Sequence, residues 1–119
     1  MAQLEIAGEK LKLKLNALEN LGAFHSSPKV DVSQVESIEE ISNPWTSKVL
    51  KGVRAPGTGI PYVIMLGTLR YRGGKDFCAI YKRQPHAVIS LKSGEFKRWI
   101  VAIGDRSEFD SIRNELSKR

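Results

Sequence analysis

The amino-acid sequence predicts a mainly β domain of about seven strands closed by a C-terminal amphipathic helix, and three patterns carry that prediction. Lys10-Leu11-Lys12-Leu13-Lys14-Leu15 alternates strictly, which gives a strand with one apolar and one wet face. From Tyr62 onward, turn signals recur at Gly73-Gly74, Arg83-Gln84-Pro85 and Ser93-Gly94, between runs rich in β-branched and aromatic residues. After Asp105 the apolar spacing changes from that of a strand to that of a helix.

Taken in order, Leu4 to Ala7 is expected to pair with the Lys-Leu strand across a turn at Gly8-Glu9, with Leu11, Leu13 and Leu15 pointing inward. Asn16 with Glu19 three residues on reads as an N-cap, and Gly22 as a stop, so one or two helical turns follow. Val30, Val32, Val35, Ile38 and Ile41 change spacing midway, which fits two short strand pieces with a bend between them. Gly52 to Pro61, with two prolines fixing φ and three glycines permitting φ > 0, reads as a loop of specified shape that delivers the chain into a buried strand from Tyr62 and then a hairpin.

Phe77 to Tyr81, His86 to Leu91 and Phe96 to Ile103 then form an antiparallel meander. A three-residue loop at Ser93-Gly94-Glu95 sets Ile89 opposite Trp99 and Ala87 opposite Val101, whereas a two-residue loop flips the pairing. In the first register Phe77, Ala79, Tyr81, Ala87, Ile89, Leu91, Trp99, Val101 and Ile103 share one core face. The tail from Asp105 to Leu116 places Phe109, Ile112 and Leu116 on one helical stripe, with acids in the first turn and Lys118 and Arg119 at the end, as the helix dipole prefers.

A chain of 119 residues fits one domain, and its 41% hydrophobic and 27% charged content is that of an ordinary globular protein. No apolar run approaches the roughly 20 residues that span a bilayer, and Met1 to Glu5 has no secretory pattern. A single cysteine, Cys78, cannot form an internal disulfide, which agrees with a reducing cytoplasm and equally with any domain that never needed one. Charge is unevenly distributed. Residues 1–47 carry four basic and seven acidic side chains, residues 48–98 eleven and two, and residues 99–119 four of each, which sums to +6. The middle block favours anionic partners unless its charges serve only to keep strand edges apart.

Sites of chemistry are few. Gly52 and Gly57 have the spacing that opens a phosphate loop, but Thr58 stands where lysine is required and no βαβ unit surrounds it. Cys78 and His86 fall on neighbouring predicted strands, yet no orienting acid accompanies them, so a small buried cysteine and a surface histidine are the simpler expectation. His25, His86 and one cysteine do not make a metal set, and no cofactor is expected. Trp99 and Tyr81 read as core, which leaves Trp45 and Tyr71 as exposed aromatics and makes nucleic acid a disfavoured partner.

Leu4-Glu5-Ile6-Ala7-Gly8-Glu9-Lys10-Leu11, Ala17 to Ala23, Asn43-Pro44-Trp45, Arg54-Ala55-Pro56-Gly57-Thr58-Gly59-Ile60-Pro61, Gly67-Thr68, Gly73-Gly74-Lys75-Asp76-Phe77 and Ile100 to Asp105 together resemble a group of small uncharacterised bacterial proteins with a pleckstrin-homology-like (PH-like) domain. The resemblance implies a PH-like antiparallel barrel and a bacterial source, and carries no catalytic residues. Phosphoinositide-binding members bear a basic pattern at the first hairpin, to which Lys10-x-Lys12-x-Lys14 is only similar, because Lys14 stands where arginine is usual and Glu9 adds a negative charge.

The function expected is a non-catalytic module that binds protein or peptide through Arg54, Pro56, Gly57, Thr58, Gly59, Arg70, Arg72 and Lys75. The alternative is peripheral association with anionic lipid, at the inner face of the membrane, through Lys10, Lys12, Lys14, Lys48 and Lys51. A third reading is a small-ligand carrier or enzyme using a cleft near the glycine-rich run. Strand edges in a small β protein also admit a homo-oligomer.

Overall fold

A computed structural model describes residues 3–14, 29–45, 53–60, 64–71, 73–82, 84–92, 95–104 and 106–118, with the backbone alone for Gln3 and for Val53–Ile60. The element order among them is β1 (Gln3–Ala7), β2 (Lys10–Lys14), β3 (Lys29–Asp31), a 3-10 turn (Val32–Gln34), β4 (Val35–Ile41), β5 (Val53–Ile60), β6 (Ile64–Tyr71), β7 (Gly74–Tyr81), β8 (His86–Leu91), β9 (Arg98–Ala102) and α1 (Arg106–Ser117). The strands form two sheets, β1-β2-β3 and β4-β8-β9-β7-β6-β5, and among the described residues these do not close into one barrel. The expected Asn16–Gly22 helix, Leu15 and the residues Lys48, Lys51 and Arg72 lie outside the described residues.

The small sheet follows from its alternation. Ala7 pairs with Lys10 across Gly8-Glu9, and Gly8 has φ +63°, the first central position where a type II′ turn takes glycine. Leu11 and Leu13 are fully buried while Lys10 and Lys14 are exposed. The chain then passes from β3 through the 3-10 turn into β4, which is the bend that the changed valine and isoleucine spacing predicts.

The large sheet departs from a meander. β7 and β8 are consecutive, yet β9 lies between them, antiparallel to β8 and parallel to β7. The link after Tyr81 therefore crosses two strand spacings, about 10 Å. His86 secures it: its Nε2 accepts the Tyr81 N–H at 3.0 Å, and its Nδ1–H donates to the Gln84 carbonyl at 2.7 Å. The Ile103 N–H also donates to the Pro85 carbonyl at 3.1 Å, and Lys82, at φ +53°, turns its carbonyl to the Trp45 indole N–H at 2.8 Å. His86 is thus fully buried rather than a surface residue.

Pairing of β8 with β9 follows the three-residue-loop register, with Ala87 opposite Val101 and Ile89 opposite Trp99. All nine side chains assigned to the core face lie in one cluster or pack against it, together with Leu11, Leu13, Phe96 and Phe109. A second cluster, Leu69, Cys78, Ile80, Val88 and Ile100, with Ile41, Trp45 and Met65 against it, occupies the other face. Buried side chains therefore run without alternation along β7 from Asp76 to Ile80, as a central strand covered on both faces requires. The helix buries the predicted stripe, with Phe109 buried and Ile112 and Leu116 packed against the first cluster. It ends at Ser117, however, so no basic residue lies in its last turn: Lys118, expected there with Arg119, follows the helix, and Arg119 lies outside the described residues.

The Gly52–Pro61 run, expected as a loop, contains β5, the outer strand beside β6. Arg54 pairs with Leu69 and Gly57 with Gly67, so β5 holds one more residue than its partner across Ala55-Pro56. Proline has no N–H for a ladder, and an edge strand with a bulge is where it is tolerated.

Candidate functional site

The register of β6 with β7 sets Arg70 directly opposite Lys75. The Lys97 N–H donates to the Lys75 carbonyl at 2.7 Å, which brings the segment before β9 beside β7. A depression of about 560 Å³ results, lined by Arg70, Tyr71, Gly74, Lys75, Leu91, Lys92, Glu95, Phe96 and Lys97. Among the described residues four cations surround one acid. Lys75 Nζ lies 3.4 Å from Glu95 and 5.3 Å from the centre of the Phe96 ring, which itself packs edge-on to Phe77 at 5.4 Å. Gly74 makes the floor possible: it has φ +152°, and a Cβ there would stand 2.7 Å from Lys97 Cγ. Like charges facing each other across a strand pair are destabilising, so Arg70 opposite Lys75 is an arrangement that a bound anion would relieve.

Behind these residues lies a buried polar group. Tyr71, Asp76 and Arg98 follow Arg70, Lys75 and Lys97 in the chain by one position each. Asp76 is fully buried; its Oδ2 accepts from Arg98 Nε at 2.9 Å and Nη2 at 2.5 Å, and its Oδ1 from the Tyr71 hydroxyl at 2.7 Å. Burial, then the hydrogen bond to Asp76, pushes the Tyr71 phenol up to about 12. Burial, with the Asp76 charge adding to it, also pushes the Cys78 thiol well above its ordinary range, which removes the thiolate a nucleophile needs. β9 separates the strands of Cys78 and His86, and both ring nitrogens of His86 are engaged.

The remaining sequence candidates divide. Arg54, Pro56, Gly57, Thr58 and Gly59 lie on β5 beside β6, with Val53 opposite Arg70. Of the lysine stripe, Lys10 is ion-paired with Asp31, Lys14 with Glu5 at 3.0 Å, and Lys12 sits opposite both Glu5 and Lys29. Trp45 and Tyr71 are half-buried rather than exposed, and Tyr81 packs against the first core cluster. Among the described residues no group of three His, Cys, Asp or Glu is placed to hold a metal ion, and no helix is long and apolar enough to cross a membrane. Lys92, Lys97 and Phe96 were not singled out in the sequence; the turn at Ser93-Gly94, which folds the chain back within the basic block, is the signal that points to them.

No family model matches the chain, and neither a curated protein nor a solved structure does.

Proposed function

We propose that this chain is a non-catalytic binding module that receives an acidic segment of a protein or peptide at its basic end. The observation that carries the reading is the convergence of Arg70, Lys75, Lys92 and Lys97 on one depression in which Glu95 is the single acid among the described residues. The lysine stripe supports a membrane surface less well, because Asp31 and Glu5 already neutralise Lys10 and Lys14. We read the two sheets, joined where β3 bends into β4, and the helix α1 as a PH-like domain of a bacterial protein working in the cytoplasm.

A fluorescent peptide of consecutive glutamates tests the reading by anisotropy. It is expected to bind in low salt and to weaken steeply toward physiological ionic strength, where charges are screened over about 8 Å. The triple change Arg70→Glu, Lys92→Glu and Lys97→Glu should abolish binding, while Lys10→Glu, Lys12→Glu and Lys14→Glu together should leave it. Circular dichroism and melting establish that both triples are folded. Retention of binding by the first triple, or capture of phosphatidylserine vesicles that responds only to the second, overturns the proposal in favour of a different surface or of a membrane.

A further inference from the structure

β4 is the outer strand of the large sheet, and among the described residues no strand pairs with its free edge. Arg106, at the start of α1, donates from Nη1 and Nη2 to the two carboxylate oxygens of Glu40 at 2.5 and 2.8 Å, so the helix is anchored beside the end of β4. Between the rest of β4 and the second half of α1 runs a groove of about 1090 Å³. Val35, Ile38 and Leu116 line it and are only half-buried, so the groove holds apolar surface that an added strand would remove from water.

Charge decides what such a strand can be: among the described residues the groove carries Glu9, Glu36 and Asp110 against Lys92 and Arg113, and Glu39 stands on β4 beside it, so acids outnumber cations. Glu36 and Glu39 are exposed and make no hydrogen bond or ion pair among the described residues, whereas Glu40 is taken by Arg106. A second copy pairing β4 on β4 would set glutamate rows against each other, and like charges facing across strands are destabilising. The same carboxylates repel any acidic strand, as edge charges do in proteins that avoid aggregation. A strand bearing cations is the one they admit. We propose that the free edge of β4 and the groove beneath α1 receive an extended segment in which apolar residues alternate with lysine or arginine, adding a strand to the sheet. The inference does not rest on the basic end, whose ligand has the opposite charge, and the two sites share one lining residue, Lys92.

A capped peptide of seven residues, matching the length of β4, with lysine and valine alternating is the probe. Three readouts decide the matter: anisotropy for affinity, amide NMR for position, and backbone N-methylation for the mode of binding. Shifts are expected in β4 and the second half of α1, and a peptide with glutamate in place of lysine should not bind. N-methylation of alternate residues keeps charge and side chains but removes donors on one edge of the peptide, so methylating one alternate set should abolish binding and methylating the other should spare it. Glu36→Lys with Glu39→Lys should weaken binding roughly tenfold, the sum of two exposed pairs. Failure of the unmethylated peptide to bind at millimolar concentration, equal behaviour of the two methylated peptides, or shifts confined elsewhere overturns the proposal.

Discussion

Replacing Asp76 with alanine is expected to lower stability by about 3 kcal/mol. The Asp76 side chain is fully buried and that of Arg98 is 16% exposed, so the substitution strands a guanidinium that was compensated by two hydrogen bonds to one carboxylate oxygen. Breaking a buried ion pair by removing one partner costs about 3–5 kcal/mol, and the residual access of water to Arg98 places this case at the lower end. Urea unfolding at neutral pH measures it, with an unchanged slope and a melting temperature lower by roughly 12 °C at about 4 °C per kcal/mol. In an Arg98→Met background the same change leaves no stranded charge and should cost far less, a coupling that a double-mutant cycle isolates. Tyr71 provides a second readout. Its phenol, raised to about 12 by burial and by its bond to Asp76, should titrate part of the way back toward 10 in Asp76→Ala. In the parent protein the unfolded chain loses that proton first, so stability should fall between pH 10 and about 12. A cost below about 1 kcal/mol for Asp76→Ala, or an equal cost with methionine at 98, would refute the reasoning.

Phe109 is 5% exposed and packs into the first core cluster, so Phe109→Ala should cost about 3–5 kcal/mol, and an unchanged melting temperature would detach α1 from the core. Leu13→Asp places a carboxylate where leucine is fully buried and should unfold the domain; a soluble variant with a cooperative melt would reverse the facing of β2. Burial, only partly offset by the Gln84 bond, holds the His86 imidazole below its ordinary value of about 6.5. The folded chain therefore resists a proton that the unfolded chain accepts. The contribution of His86 is present above about pH 6.5 and declines as pH falls below it, by at most about 1.4 kcal/mol per pH unit, and the pH slope of unfolding should flatten in His86→Asn.

Local rules made most of the chain legible. Alternation at Lys10–Lys14 gave the facing of β2, the Ser93-Gly94 turn left two β8–β9 registers of which the structure has the one with Ile89 opposite Trp99, and the Phe109, Ile112 and Leu116 stripe gave the buried side of α1. The insertion of β9 beside β7 is a pairing between distant segments, and nothing in the turn at Arg83-Gln84-Pro85 distinguishes a hairpin from a link that crosses a third strand. The unbroken apolar run Phe77-Cys78-Ala79-Ile80 is the mark of such a central strand, since a sheet with one wet face would have alternated there. β5 was illegible for the opposite reason: its glycines and Pro56 disfavour a strand interior, but a bulged outer strand tolerates them.

Period two also explains how the basic end is built. On β6 and β7, neighbouring side chains point to opposite faces, so Arg70 and Lys75 stand on one side while Tyr71 and Asp76 turn to the other. The parallel register of β7 with β9 brings Arg98 to Asp76, and the Lys97 N–H to Lys75 carbonyl bond extends that ladder by one step. A buried network on the rear face thus holds three segments in one register, and the cation preceding each network member is presented at the front. Separate surface lysines would lose rotamer and loop freedom on binding an anion, whereas cations on strand ends already clamped through Asp76 lose less. Asp76→Asn keeps the size of the side chain and removes its charge, so it should weaken capture of an acidic peptide even where the protein remains folded, although residue 76 faces away from the ligand. Unaltered affinity in a folded Asp76→Asn variant would mean that the cations act as independent surface charges, and that the network serves stability alone.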